Sequence, residues 1–287
     1  MFDITPEKAE EIANNFHIPA QPIVLQQLQL EQAKADPSPN AFAEVIIKDV
    51  ALSASVLKTV NSPLFGLNRT VTDIKQSVMM LGTNNIGTLA TFFQLRSKFP
   101  GKNSSISLEK FWDVAMETAN MVNIVMDYLH LKSDIPAEDA YAYALFRDCG
   151  IPLMASKYQT YKETLQQANS QPDTIFTEIE DQAYQTNHAV VGYFLAAGWH
   201  LPKQLCQFIL RHHDTTFLED ANVDDHDKTL YALIKLAANV LSNYKYNSDD
   251  VEWPLAHDQV LHFFGLSEMD YSDLEEDVKE SYSIQFG

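Results

Sequence analysis

Apolar residues along this chain recur at intervals of three and four. Trp112, Ala115, Ala119, Val122, Val125, Met126 and Leu129 form one stripe, and Leu230, Leu233, Ile234, Ala237, Val240 and Leu241 form another. Ala43, Val45, Ile46, Val50 and Leu52 make a shorter run, and Ile23, Leu25, Leu28 and Leu30 a looser one. Positions so spaced share one face of a helix, and each such helix must bury that face against another. Signals for the alternative are scarce. A sheet needs tight turns, which favour Asn-Gly or Asp-Gly. Neither dipeptide occurs, and the chain has nine glycines in 287 residues. The spacing predicts an all-α protein.

Punctuation sets the limits of the helices. Ser38 followed by Pro39 reads as an N-cap with proline in the first turn. The segment Asn61-Ser62-Pro63-Leu64-Phe65-Gly66 must stop a helix, because Pro63 biases Ser62 away from helical geometry and Gly66 permits a turn. Asp73, with Gln76 three residues on, resembles a capping box. The clearest internal loop is Pro100-Gly101-Lys102-Asn103-Ser104-Ser105. It separates an expected N-terminal helical subdomain, 1–104, from an expected C-terminal one, 105–287. Ser267 to Glu280 carries seven acidic residues and one lysine, which is read as a solvated terminal face.

Charge narrows the partners. Lys plus Arg is 20 and Asp plus Glu is 39, a formal charge of −19. Polyanions and anionic membranes are poor partners for such a surface, so nucleic-acid binding is not expected. The most apolar stretch, Ala189 to Trp199, is too short to span a bilayer. Two cysteines, Cys149 and Cys206, imply no disulfide framework, and Cys149 reads as a small buried filler. The start, Met1 to Ala13, lacks a basic-then-apolar leader, so the expected location is cytoplasmic with reduced thiols.

Residues able to carry chemistry are a scattered set of His and Asp. Asp148 lies in Leu145-Phe146-Arg147-Asp148-Cys149-Gly150, His188 in Asn187-His188-Ala189-Val190-Val191-Gly192, and His212 and His213 in Leu210-Arg211-His212-His213-Asp214. Imidazole and carboxylate are the ligands that hold hydrolytic metals such as Zn, Fe or Mn. Each histidine alone also fits a hydrogen-bonded structural role. On a regular helix adjacent side chains diverge, so His212 and His213 are expected to point apart. Trp199 before Leu201-Pro202 reads as a core or loop anchor, Phe92 and Phe93 as core, and Asn61-Ser62 as a helix terminus or the lining of a groove.

Four stretches form a further pattern: Ile18-Pro19-Ala20-Gln21-Pro22; Ile47 to Leu57 with Val60-Asn61-Ser62 and Phe65-Gly66; Val71, Ile74, Ser77, Met80, Leu81 and Gly82; and His188, Gly192, Trp199, Leu201-Pro202, Ile209 and His212-His213. Together they run from Ile18 to His213, and the pattern resembles the HDOD family, the HD-related output domain of bacterial signalling proteins.

The resemblance implies an HD-domain-like helical bundle with an N-terminal helical subdomain, related to metal-dependent phosphohydrolases. It also implies where a metal would sit. Those relatives hold it with a histidine, a His-Asp pair and a final Asp, and further histidines bind a second metal in some of them. Here Val114 aligns with the first histidine, Arg147-Asp148 with the pair, and Asn239 with the last Asp. Valine donates nothing, and a permanent guanidinium cation cannot ligate. One reading has Arg147 replace the metal's charge by pairing with Asp148 or a nearby acid, which seals the site as structure. The other has Arg147 in solvent and Asp148 capping the next turn. The expected function is a non-catalytic signal-transduction module that takes its input by association, binding a partner protein or small ligand around Arg147, Asp148, His188, His212, His213 and Asn239. No resident metal or membrane insertion is expected. The alternative is a phosphohydrolase with a reduced site: Asp148 and His188 catalytic, with Mn, Fe, Zn or Mg on Asp148, His188, His212 and His213.

Overall fold

The computed structural model describes residue 12 and residues 14–287 apart from 66, 68, 102, 103 and 173; of Leu64 it describes the backbone alone. Met1 to Glu11, Ala13, Gly66, Lys102 and Asn103, which figure in the sequence expectations, lie outside the described residues. Among the described residues there are helices, turns and no strand. The chain forms two compact units. One is Ala20–Pro100; the other joins Gly101–Gln285 to the described residues before Ala20. The residues before Ala20 leave the unit that chain order gives them: Trp199, 2% exposed, donates its indole N–H to the Pro19 carbonyl at 2.7 Å.

The first unit contains α1 (Ile23–Gln32), α2 (Pro39–Ile47), α3 (Val50–Val60) and α4 (Ile74–Lys98). The punctuation acts as expected at several ends. Ser38 accepts the Ala41 N–H at 3.3 Å with Pro39 in the first turn. Asp49 accepts the Leu52 N–H at 2.9 Å and, through its other oxygen, the Gln94 amide at 2.9 Å, which ties the start of α3 to α4. Asn61 ends α3 and clamps the following loop, donating to the Leu57 and Val71 carbonyls and accepting the Val71 N–H. Asp73 caps α4 by accepting the Lys75 N–H, a simple cap in place of the expected box with Gln76. Gly82, at φ +79°, breaks α4 into two helical stretches, a conformation open to glycine at little cost. The core is Leu25, Leu28, Phe42, Ile46, Val56, Val60, Ile86, Leu89 and Phe92, each contributing about 1.5–3 kcal/mol by burial.

The second unit contains α5 (Leu108–Tyr128), α6 (Ala137–Phe146), α7 (Ile151–Lys157), α8 (Tyr161–Ala168), α9 (Phe176–Tyr184), α10 (His188–Gly198), α11 (Lys203–Arg211), α12 (Asp225–Tyr246), α13 (Trp253–Phe264) and α14 (Glu268–Phe286). The two long stripes become the buried faces of α5 and α12, which pack on each other; α5 also packs on α6, and α10 on α11. The acidic terminal segment is α14. A capping box between Ser267 and Asp270 starts it, and Leu274, Val278 and Tyr282 are its buried positions.

Candidate functional site

The site begins with two glycines. Asp148-Cys149-Gly150 turns between α6 and α7, and the turn lies directly on the first turn of α10. A Cβ on Gly150 would stand 2.0 Å from the His188 carbonyl oxygen and 2.6 Å from the Gly192 nitrogen. Only glycine allows this approach, and it sets Asp148 beside His188. Asn187 caps α10, accepting the Val190 N–H at 2.9 Å, and so fixes the helix whose first residue is His188.

The adjacent histidines do not diverge. α11 ends at Arg211; His212 is the residue that caps its end and His213 follows in a turn, so helical side-chain geometry stops before the pair. Their rings lie 4.1 Å apart between centroids. His213 Nε2 is 3.0 Å and His212 Nε2 3.3 Å from His188 Nε2. Asp148 Oδ1 is 3.1 Å from His212 Nε2 and 3.5 Å from His188 Nε2. The four side chains expected as residual ligands thus meet at one point, their ligand atoms all within 4.8 Å of one another.

Each imidazole is anchored from behind. His188 Nδ1 donates to Glu180 Oε2 at 2.7 Å, His213 Nδ1 to Glu252 Oε2 at 2.7 Å, and His212 Nδ1 to the Ile209 carbonyl at 2.8 Å. Glu180 is fully buried; its second oxygen accepts the Tyr161 O–H, and the His188 backbone N–H adds a bond at 3.1 Å. Glu252 also accepts Lys235 Nζ at 2.7 Å and the Phe176 N–H at 2.9 Å. With every Nδ1 carrying the proton, a neutral ring directs its Nε2 lone pair inward. Three such lone pairs repel at these distances unless a proton or cation stands among them. Burial and opposite charges split the titrations accordingly. Burial opposes charge on His188, but Glu180 and Asp148 outweigh it and lift its pKa to about 10. Burial prevails at His212, which is lowered, and at His213, which falls to about 3 despite Glu252. Asp148 is half-buried, and although desolvation opposes its charge, Arg147 and the histidines hold its carboxyl well below the usual range.

Of the two readings of Arg147, the geometry is that of the pair: its Nε donates to Asp148 Oδ2 at 2.8 Å. Val114 lies in the wall of the same pocket, a space of about 260 Å³. Asn239 requires a correction. It is fully buried and bonded to Asp249, the Tyr271 hydroxyl and the Asp250 N–H. It is not among the residues lining the pocket; α12 presents Lys235 and Ala238 there instead. Sequence reading also missed Glu180 and Glu252. Glu180 precedes His188 by eight residues and Glu252 follows His213 by 39, and in a chain with 39 acidic residues neither has a distinguishing signal.

An all-helical unit with a buried His–Asp centre at the ends of α6, α10 and α11 defines an HD-like module. The chain belongs to the HDOD domain family, whose model matches residues 18–215. Its fold is similar to that of an HDOD domain protein of unknown function from Geobacter sulfurreducens (TM-score 0.71, 18% identity, 96% of this chain and 93% of that one). A candidate metal-dependent phosphohydrolase from Shewanella amazonensis gives 0.67 and 17%, covering 96% of each chain. A candidate signal transduction protein from Marinobacter aquaeolei gives 0.69 and 16%, covering 98% of this chain and 61% of that one. An uncharacterised protein of Treponema pallidum (strain Nichols) is 25% identical over 215 residues, 73% of this chain; the match spans 40% of that relative's length.

Proposed function

We propose that the chain is a regulatory module that binds a small ligand without turning it over, in a pocket floored by one divalent cation on Asp148, His188, His212 and His213. The convergence of three Nε2 atoms, each turned inward by an Nδ1–H bonded behind it, carries this reading. The donor set fits a borderline metal such as Zn, Fe or Mn, and the outward bonds to carboxylate or carbonyl are those that orient metal-bound imidazole. This reverses the expectation of a site closed without metal: Arg147 occupies one oxygen of Asp148 and leaves Oδ1 facing the histidines. A bound divalent ion supplies a Lewis-acid centre. What argues for binding without hydrolysis is the rest of the wall, where Val114 and Arg147 stand in place of ligands and Lys235 is engaged with Glu252.

Two measurements on the purified chain test this. Elemental mass spectrometry should find one divalent ion per chain, lost in His188→Ala and His212→Ala. A phosphomonoester and phosphodiester screen with Mn, Mg, Zn and Fe should stay at background. A metal-free chain that takes up no ion on titration would sink the proposal. The second reading, a phosphohydrolase, is favoured by the same donor set. Metal-stimulated turnover that vanishes in His188→Ala would establish it.

A further inference from the structure

The pocket is lined by two kinds of side chain: the polar groups of the histidines, Asp148 and Arg147, and the apolar side chains of Ile106, Phe111, Val114, Ala115, Leu165 and Ile234. Val114 is 38% exposed and lies on α5 outside its buried stripe. An uncovered apolar wall beside a charged floor fits an amphipathic ligand.

We propose, building on the reading above, that the ligand is a small carboxylate with an apolar, ring-sized body, its head on Arg147 and its body on the Val114 wall. The guanidinium supplies the head site. Its Nε is bonded to Asp148, while its two Nη groups make no hydrogen bond among the described residues. That leaves a planar fork, a match to a carboxylate.

Charge selects a monoanion. Asp148, Asp250 and Glu252 line the pocket against Arg147 and Lys235, and Glu180 stands behind His188. Even with a divalent ion on the histidines, these carboxylates disfavour a second negative charge on the ligand. A carboxylate is singly charged at pH 7, whereas a phosphate monoester carries close to two charges. Size sets the body. Benzene fills an engineered cavity of about 150 Å³, so a space of about 260 Å³ takes roughly ten non-hydrogen atoms, one ring with a short acid arm. A dinucleotide is far too large to be enclosed.

The test is calorimetric titration of the full, zinc-loaded chain with trans-cinnamate, acetate and phenyl phosphate, with zinc content measured on each sample. Cinnamate should bind at one site, with acetate and phenyl phosphate each at least ten-fold weaker. Val114→Trp should weaken cinnamate at least ten-fold while retaining one zinc per chain, and Arg147→Met should weaken it at least ten-fold. Val114 is partly exposed, so its substitution leaves the fold in place should Arg147→Met fail to fold. Acetate equal to cinnamate overturns the apolar body; phenyl phosphate equal or tighter overturns the monoanion; indifference to Val114→Trp puts the ligand elsewhere. Zinc bound with no cinnamate uptake refutes this inference and leaves the metal reading standing. Cinnamate binding that depends on Arg147 and Val114 in a chain that takes no zinc supports the inference and refutes the metal.

Discussion

Glu180 shows how much of the site is made by residues that touch no ligand. It is a fully buried carboxylate with donors from Tyr161, from the His188 ring and from the His188 backbone. Such a group is tolerated in the interior because its oxygens are satisfied. Its effect is to hold the His188 ring in one tautomer with Nε2 inward. In Glu180→Gln the size is kept but the charge is lost, and the amide can meet the ring with either its oxygen or its N–H₂. Metal affinity should fall about 10–100-fold, the range for partners of ligating histidines, with little change in helix content. Competition against a chromophoric chelator measures this; an unchanged affinity would mean that Glu180 is only a core hydrogen-bond acceptor. The residues that would touch the ion were legible in the sequence because histidines are few. Those that aim them were not, because a glutamate's burial cannot be read from its neighbours in the chain.

At the scale of elements, the site depends on where helices stop and how closely they approach. Regular periodicity placed α5 and α12 correctly from sequence, and Ser38 and Asp73 marked true starts. The same regularity misled at His212-His213, because a helix that ends at Arg211 no longer separates neighbours by its own geometry. Asn239 is also on α12, but its side chain bonds to Asp249, Asp250 and Tyr271 and does not line the pocket. Gly150 gives the approach a test. A methyl group there would collide with backbone, which cannot swing aside as a side chain can. Gly150→Ala should cost about 1–3 kcal/mol or more in urea unfolding and abolish metal uptake. Gly198→Ala, whose nearest neighbour would be 4.0 Å away, should be neutral or stabilising by up to about 1 kcal/mol. Equal effects would remove the close contact as the cause.

The segment after α11 is fastened by Arg211, which is 8% exposed and pairs with Asp214 at 2.7 Å and Asp220 at 2.9 Å. The N–H and amide of Asn222, with Arg211, hold the Asp220 carboxyl down at about 2. The folded chain therefore binds a proton here less readily than the unfolded chain, whose Asp titrates near 3.9. The stabilisation is present above about pH 4 and is lost as pH falls through about 2. Urea midpoints at pH 6 and pH 3 should differ less in Asp220→Asn than in the parent chain. An identical difference would show that Asp220 contributes nothing to acid sensitivity.

For the whole molecule the governing quantity is charge. Fold class was legible because helical spacing and the lack of hairpin signals point the same way, and charge was legible because it needs no structure. Pocket chemistry was not, since it arises where α5, α6, α10, α11 and α12 bring distant residues together. The two now bear on each other. The cationic and imidazole groups of the pocket are buried or half-buried, and each is matched by a nearby carboxylate or carbonyl. They add little to the potential outside, which is left to a surplus of 19 negative charges. A phosphate backbone needs basic side chains to displace its counterions, and here it would meet repulsion. A labelled DNA duplex at 150 mM salt should show no saturable anisotropy change up to tens of micromolar chain, and lowering the salt to 50 mM should not create one. Binding that appears at low salt and weakens steeply as salt rises would reveal a basic surface strong enough to overcome the net charge, and would reopen nucleic acid as a partner.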